Sequence, residues 1–271
     1  MSDKVIAYCG TKNIYDIMET AAKSALANTE VDKIIFFIET DSFPYSLPSI
    51  IETRNVSDQH WFPSDGANYN SPWTYMAYIR LALAKILPDL DRILYLDTDT
   101  LVLRDISGLF NTDITGKLFC MIAEDIGEQP IEYINGFACF QDYIQVAKSQ
   151  DPRPEYPVRP YYNSGVMLMN LEELRKTKMD DVIIHELNTV YHRYPDQDAI
   201  NILCKDNIVP APTEYNVIPA LCSDFPKDKI RIKHFASDKP LWKSGLWQSY
   251  KRMSWDTVMN RQNKLKKVVT T

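Results

Sequence analysis

Two hydrophobic patterns alternate along the chain. Val5-Ile6-Ala7-Tyr8-Cys9 is a compact apolar run that stops at Gly10, and beyond it Ile14, Ile17, Met18, Ala21, Ala22 and Leu26 recur at helical spacing. This predicts a strand followed by a helix. Residues 33–38 repeat the strand signal with Ile34-Ile35-Phe36-Phe37-Ile38 unbroken by polar positions, as expected of a strand buried on both faces in a parallel sheet covered by helices. A helical pattern over residues 75–87, closed by Pro88, leads into an apolar strand over 92–96. Further strands are predicted over 118–123, 165–169, 208–209 and 229–235, and helices over 172–176, 180–194 and 198–204. Such alternation predicts the α/β class with a mixed, mostly parallel central sheet. The Pro-rich stretch 151–160 reads as a surface loop over a site, and no internal repeat or long linker interrupts the pattern.

Composition narrows this picture. The 271 residues are enough to bury one large core, so one domain is expected. No run approaches the roughly 20 apolar residues that a membrane span requires. The start, MSDKVIAYCG, enters an apolar strand without the features of a secretory leader, which predicts a cytoplasmic location. Five widely spaced cysteines in mostly apolar surroundings read as buried thiols of a reducing compartment. A net charge of −6 argues against nucleic acid as a partner. The last residues reverse the sign: Lys239, Lys243, Lys251, Arg252, Arg261, Lys264, Lys266 and Lys267 are opposed only by Asp256, with Trp242, Trp247, Tyr250 and Trp255 interspersed. Two readings stay open for this basic aromatic tail, taken as residues 246–271. One is peripheral contact with the anionic inner face of a membrane; the other is a solvated helix with packed aromatics.

Candidate chemistry begins where an apolar strand ends. Ile93-Leu94-Tyr95-Leu96 runs into Asp97-Thr98-Asp99, which sets two carboxylates two residues apart at the rim where an α/β sheet gathers its functional groups. If the chain turns there, both can face one hard dication, which takes oxygen ligands and keeps positions open for phosphate. Taken alone, such a pair is more often a turn or a helix cap.

Four segments in order change that balance. Residues 92–102, with Asp97-Thr98-Asp99, resemble the metal motif of glycosyltransferase family 8, which includes bacterial lipopolysaccharide galactosyltransferases and glycogenin. Tyr162-Asn163-Ser164-Gly165-Val166 is similar to that family's N-[AS]-G-V strand, and Asp196-Gln197-Asp198 to its D-Q-D element. His234-Phe235 with Lys239-Pro240-Leu241-Trp242 resembles its closing segment, with Ser237 where relatives carry Gly and Leu241 inserted before the Trp.

The resemblance implies a GT-A domain over residues 1–245, Rossmann-like in layout, and a retaining hexosyltransferase. Its donor would be UDP-glucose or UDP-galactose, and its acceptor a saccharide, glycolipid or glycoprotein. It implies Asp97, Asp99 and His234 as ligands of Mn²⁺ or Mg²⁺, the mixed oxygen and nitrogen set favouring Mn²⁺. It further implies Thr11, Asn13, Arg80, Thr98 and Lys239 around the nucleotide and its phosphates. Asn163, Ser164, Asp125 and Asp196 would surround the hexose, and Gln197 would stand nearest the reacting centre. Thr11 and Ile14 occupy positions where relatives carry Asp and a stacking Tyr, and Tyr15 stands next door. Trp73 is a candidate acceptor platform, since an aromatic face packs on sugar C–H groups. Plainer readings are a surface arginine for Arg80, a core histidine for His234 and a helix N-cap for Asp196. Two rivals are a nucleotidyltransferase, whose Gly-rich triphosphate loop residues 7–13 lack, and a non-catalytic carbohydrate-binding protein.

Overall fold

The structure, a computed structural model, describes residues 3–71, 73–124, 160–192, 194–236 and 243–269. Its first unit is the strand β1, Val5–Cys9, followed by the helix α1, Tyr15–Asn28, and the strand β2, Lys33–Ile38. Strand periodicity sends Val5, Ala7 and Cys9 into one core and Ile6 and Tyr8 into the other, so a run without polar positions fills both faces of the sheet. Met18, Ala21, Ala22, Ala25 and Leu26 bring α1 down on the second face. The edge strand β3, Ile51–Asn55, escaped prediction because its outward positions are polar and only Ile51 is buried.

The predicted helix over 75–87 is broken into α2, Tyr75–Tyr78, a 3-10 turn, Ile79–Ala82, and α3, Leu83–Ile86. Arg80 Nε donates to the Ala77 carbonyl at 2.6 Å, competing with the helical amide for that acceptor. Leu87 leaves helical geometry because it precedes Pro88. The chain continues through β4, Arg92–Leu96, β5, Thr100–Val102, the short helix α4, Ser107–Phe110, and β6, Phe119–Ala123. After the segment 125–159 comes β7, Tyr162–Asn170, nine residues long where only 165–169 were expected. Then follow α5, Leu171–Thr177, α6, Met179–Thr189, and α7, Pro195–Leu203. Helix α6 stops five residues short of its predicted end. The Asn68 side chain takes over there, donating to Leu187 O and Val190 O at 2.7 Å each and accepting from His192 N at 2.9 Å.

The chain then runs through β8, Ile208–Ala211, β9, Ile232–His234, α8, Gly245–Lys251, and α9, Trp255–Val269. The strand predicted over 229–235 is reduced to β9, since Lys229 N turns back to Pro226 O. Seven strands form the main sheet in the order β3-β2-β1-β4-β7-β6-β8. All pairings are parallel except those of β7, which runs antiparallel to both β4 and β6. β5 and β9 form a separate antiparallel pair.

The C-terminal helices pack on α1. Asn28 Nδ2 donates to Tyr250 Oη at 2.8 Å, Gln262 Nε2 donates to Val31 O at 3.0 Å, and Trp247 is buried edge-on against Phe235. Trp247 and Tyr250 are therefore packed aromatics, while Arg252, Arg261, Lys264 and Lys267 remain exposed.

Candidate active site

Asp97 leaves β4 with its amide still donating to Gly165 O of β7 at 2.8 Å. Thr100 N and Oγ1 both turn back to Asp97 O, at 3.2 and 2.7 Å, closing a tight turn that gathers Asp97 and Asp99. β5 then carries Thr100 into register with His234 of β9, and Phe235 N donates to Asp99 O at 2.9 Å. Two short strands thus deliver an imidazole from far along the chain. His234 Nε2 lies 3.2 Å from Asp99 Oδ1 and 3.6 Å from Asp97 Oδ2. The three ligand atoms lie within 4.8 Å of one another, the spacing expected around one cation.

The surroundings fit that use. Asp97 Oδ1 accepts from Tyr95 Oη at 2.8 Å and pairs with Arg80 Nη2 at 2.9 Å, which leaves Oδ2 turned toward His234. Gly165 lies beneath the cluster. A Cβ there would overlap His234 Cε1 and come within 2.8 Å of Asp97 Oδ2. Burial raises the Asp97 carboxyl above its ordinary range, and Asp99 adds to this against the opposing pull of Arg80. Burial alone would lower His234, but the Asp99 and Asp97 carboxylates outweigh it and raise the imidazole. Negative charge is concentrated here at the mouth of a cleft, the condition a dication relieves. Two carboxylate oxygens and one imidazole nitrogen suit Mn²⁺ or Mg²⁺.

Arg80 is buried, not the surface residue of a solvated helix. Its guanidinium stacks over Tyr95 at 4.4 Å, donates to Ser164 O at 3.0 Å and faces Asp196 Oδ2 at 3.4 Å. Burial opposes its charge, and the nearby Asp97 and Asp196 carboxylates more than offset that. Asp196 is not the N-cap of α7. Tyr194 holds that position and Asp196 stands in the first turn; among the described residues its Oδ2 has no hydrogen-bond partner. Held among the described residues only by the Arg80 charge at 3.4 Å, this buried oxygen is suited to a ligand hydroxyl.

Gln197 Oε1 accepts from Ser164 N at 3.0 Å and Asn163 Nδ2 at 3.1 Å, and its Nε2 donates to Glu124 Oε1 at 3.2 Å. The amide is held at both ends. A cavity of about 150 Å³ joins Asn163, Ser164, Asp196 and Gln197 to the metal-type cluster. A neighbouring one of about 430 Å³ reaches Thr11, Ile14, Thr74 and Thr98, with Trp73 and Arg80 on the wall between them.

Most residues implied at the sequence level therefore meet in one cleft. Asn13 does not line it and is exposed on the 3-10 turn Lys12–Ile14. Tyr15 is buried and stacked on Phe43 at 4.9 Å, so its ring is committed to packing. Asp125 and Lys239 lie outside the described residues. Glu124, Tyr95 and Asn216 join the site without having been picked out. Glu124 alone carried a signal, an acid at the end of an apolar strand. Asn216 sits in a loop, and only the folded chain brings its Oδ1 within 2.9 Å of His234 Nδ1.

A mostly parallel sheet with an acid-and-imidazole cluster at its rim defines the GT-A class of α/β protein. The chain superposes on the galactosyltransferase LgtC in complex with donor and acceptor sugar analogs with a TM-score of 0.63 at 20% identity, covering 95% of this chain and 99% of the other. With glycosyltransferase GlyE of Streptococcus pneumoniae TIGR4 the TM-score is 0.65 at 17% identity, over 97% and 64%. The glycosyl transferase family 8 model matches residues 5–244, and the chain belongs to that family. It is 32% identical over 161 residues to a lipopolysaccharide 1,2-glucosyltransferase of Escherichia coli K12, covering 58% of this chain and 42% of that one. To glucoside xylosyltransferase 1 of Gallus gallus it is 31% identical over 201 residues, covering 67% and 42%. The chain thus spans less than half the length of these two relatives.

Proposed function

We propose that the protein is a metal-dependent, retaining hexosyltransferase that moves glucose or galactose from a UDP-sugar to a saccharide-type acceptor. The observation that carries this reading is the convergence of Asp97, Asp99 and His234 beside a cavity walled by Asp196 and Gln197. A dication held there supplies Lewis-acid stabilisation of the departing diphosphate. The chain's own residues do the rest. Arg80 steadies Asp97 and Asp196, so the acidic wall keeps its shape as charge develops. The larger cavity receives the nucleoside along Thr11, Ile14 and Thr98, and the smaller one receives the hexose. Gln197, locked by Ser164, Asn163 and Glu124, is a rigid dipole beside the anomeric centre. Retention then proceeds on one face, with a leaving phosphate oxygen taking the acceptor proton.

The printed name of the lipopolysaccharide 1,2-glucosyltransferase supports a neutral hexose and a saccharide acceptor, whereas that of the xylosyltransferase would suit a pentose donor. The test is release of UDP from UDP-glucose and UDP-galactose with Mn²⁺ and with chelator. Asp99→Asn is expected to lower turnover on the order of a hundredfold or more, and an unaffected variant would remove the metal site from the mechanism.

The same proposal puts the enzyme in the cytoplasm, at the inner membrane face. The exposed Arg252, Arg261, Lys264 and Lys267 support it. Co-sedimentation with phosphatidylglycerol vesicles, lost in high salt, is the expected result; equal pelleting with phosphatidylcholine alone would refute the electrostatic contact.

A further inference from the structure

Two side chains, Asn216 and Asn163, link His234 of the metal-type cluster to Gln197, and the direction of the hydrogen bonds along them is fixed by groups that cannot reverse. The Gly165 backbone N–H can only donate, and it meets Asn163 Oδ1 at 2.9 Å. The opposite end of that amide, Nδ2, lies 3.0 Å from Glu124 Oε1 and 3.1 Å from Gln197 Oε1. Gln197 Oε1 is identified as oxygen by the Ser164 N–H at 3.0 Å, so the Asn163 atom facing it must be the donor Nδ2. Asn163 is therefore pinned from both sides, and flipping it would set donor against donor and acceptor against acceptor.

Asn216 inherits this direction. The atom 2.9 Å from Asn163 Oδ1 must be a donor, so it is Nδ2. The other end is then Oδ1, an acceptor, 2.9 Å from His234 Nδ1. His234 Nδ1 must carry a proton, and Nε2 is left to face Asp97 and Asp99. Asn216, Asn163 and His234 are all buried, so water does not compete for these bonds.

We propose that Asn216 is the positioning residue that sets the His234 tautomer, as the last link of a one-way hydrogen-bond chain that starts at the Gly165 and Ser164 backbone amides. Its function is to hold the ring with the Nδ1 proton turned inward and the Nε2 lone pair available to a cation. The chain also ties the metal ligand to the amide at the reacting centre, so that both are aimed by the same scaffold. The inference rests on the metal-dependent reading above, and the experiment separates the two.

The first measurement needs no metal. With ¹⁵N-labelled histidine, the His234 signal, picked out from the four histidines by its loss in His234→Gln, is expected to show a protonated Nδ1 and a bare Nε2 in the metal-free protein once the pH is high enough for the ring to be neutral, and a protonated Nδ1 in the Mg²⁺ complex. A ring whose Nδ1 lacks the proton overturns the proposal. The second measurement is Mn²⁺ titration followed by the EPR signal of the free ion, with and without UDP. Asn216→Leu removes the acceptor and is expected to raise the Mn²⁺ Kd by about tenfold to a hundredfold.

Asn216→Asp keeps an acceptor for Nδ1–H, so its Kd is expected to stay within about threefold of the parent protein. It loses the donor to Asn163 Oδ1, however, so its turnover is expected to fall. A merely structural role would weaken metal binding and thermal stability in both variants together, and that result, like an unchanged Kd in Asn216→Leu, overturns the proposal. A parent protein that binds no Mn²⁺ with UDP present instead overturns the metal-dependent function, while the tautomer signal still decides the hydrogen-bond chain.

Discussion

Gly165 shows how much one missing side chain can decide. Its carbonyl holds the Asp97 amide, its own amide anchors Asn163, and its Cα leaves the space occupied by the His234 ring. Gly165→Ala adds a methyl group that must displace His234 or Asp97 Oδ2, because the Gly165 carbonyl is held by the Asp97 amide and its own amide by Asn163 Oδ1. The expected outcome is a Mn²⁺ affinity lower by on the order of tenfold or more, with a loss of stability of about 1–3 kcal/mol, read by calorimetric titration and urea unfolding. Asp97, Asp99, His234, Asn163 and Gln197 were legible in the sequence through four spaced motifs. Asn216 was not, because its contribution consists of two bonds to residues that are distant along the chain. Tyr95 was hidden differently: within an apolar strand it reads as core, and its hydroxyl contact with Asp97 depends on the turn that follows.

At the scale of elements, Asp198 joins the start of α7 to the entry of β7. Tyr161 Oη donates to its Oδ1 at 2.5 Å and Tyr194 N to its Oδ2 at 2.9 Å. Burial raises the carboxyl from 3.8 to about 7, the two hydrogen bonds opposing the shift. The folded protein therefore retains a proton that the unfolded chain has released. Stability from this group is fully present below pH 3.8 and is lost as the pH rises through about 7. Asp198→Asn is expected to remove this component, which amounts at most to about 1.4 kcal/mol per pH unit across that window. Urea unfolding of both proteins at several pH values checks it, and parallel stability curves would contradict the assignment.

Strands with no polar interruption were readable because burial on both faces leaves no other pattern, as in β1 and β2. β5 and β9, three residues each, are too short to carry a period, yet they bring the imidazole to the carboxylates. The helix over 75–87 was misjudged because Arg80, counted as one helical position among many, uses its own side chain to break the backbone ladder.

Over the whole molecule, the family match ends at residue 244, but the packing does not. Trp247 and Tyr250 share a small core with Leu101 of β5 and with Phe235, the residue after His234. The C-terminal helices thus brace the strand pair that supports the site. Trp247→Ala is expected to cost about 3–5 kcal/mol and to weaken Mn²⁺ binding as well, because the cavity opens behind Phe235. Thermal unfolding and metal titration check the two parts, and a destabilised variant with unchanged Mn²⁺ affinity would separate the brace from the site. The tail's basic character was legible from composition, but its docking on α1 depends on which aromatics turn inward.

Because His234 arrives on β9 while its acidic partners precede β5, the two halves of the cluster are separated by about half of the 271 residues. A polypeptide still emerging from the ribosome carries both aspartates long before it carries the imidazole. The three-residue cluster is therefore complete only once β9 has paired with β5.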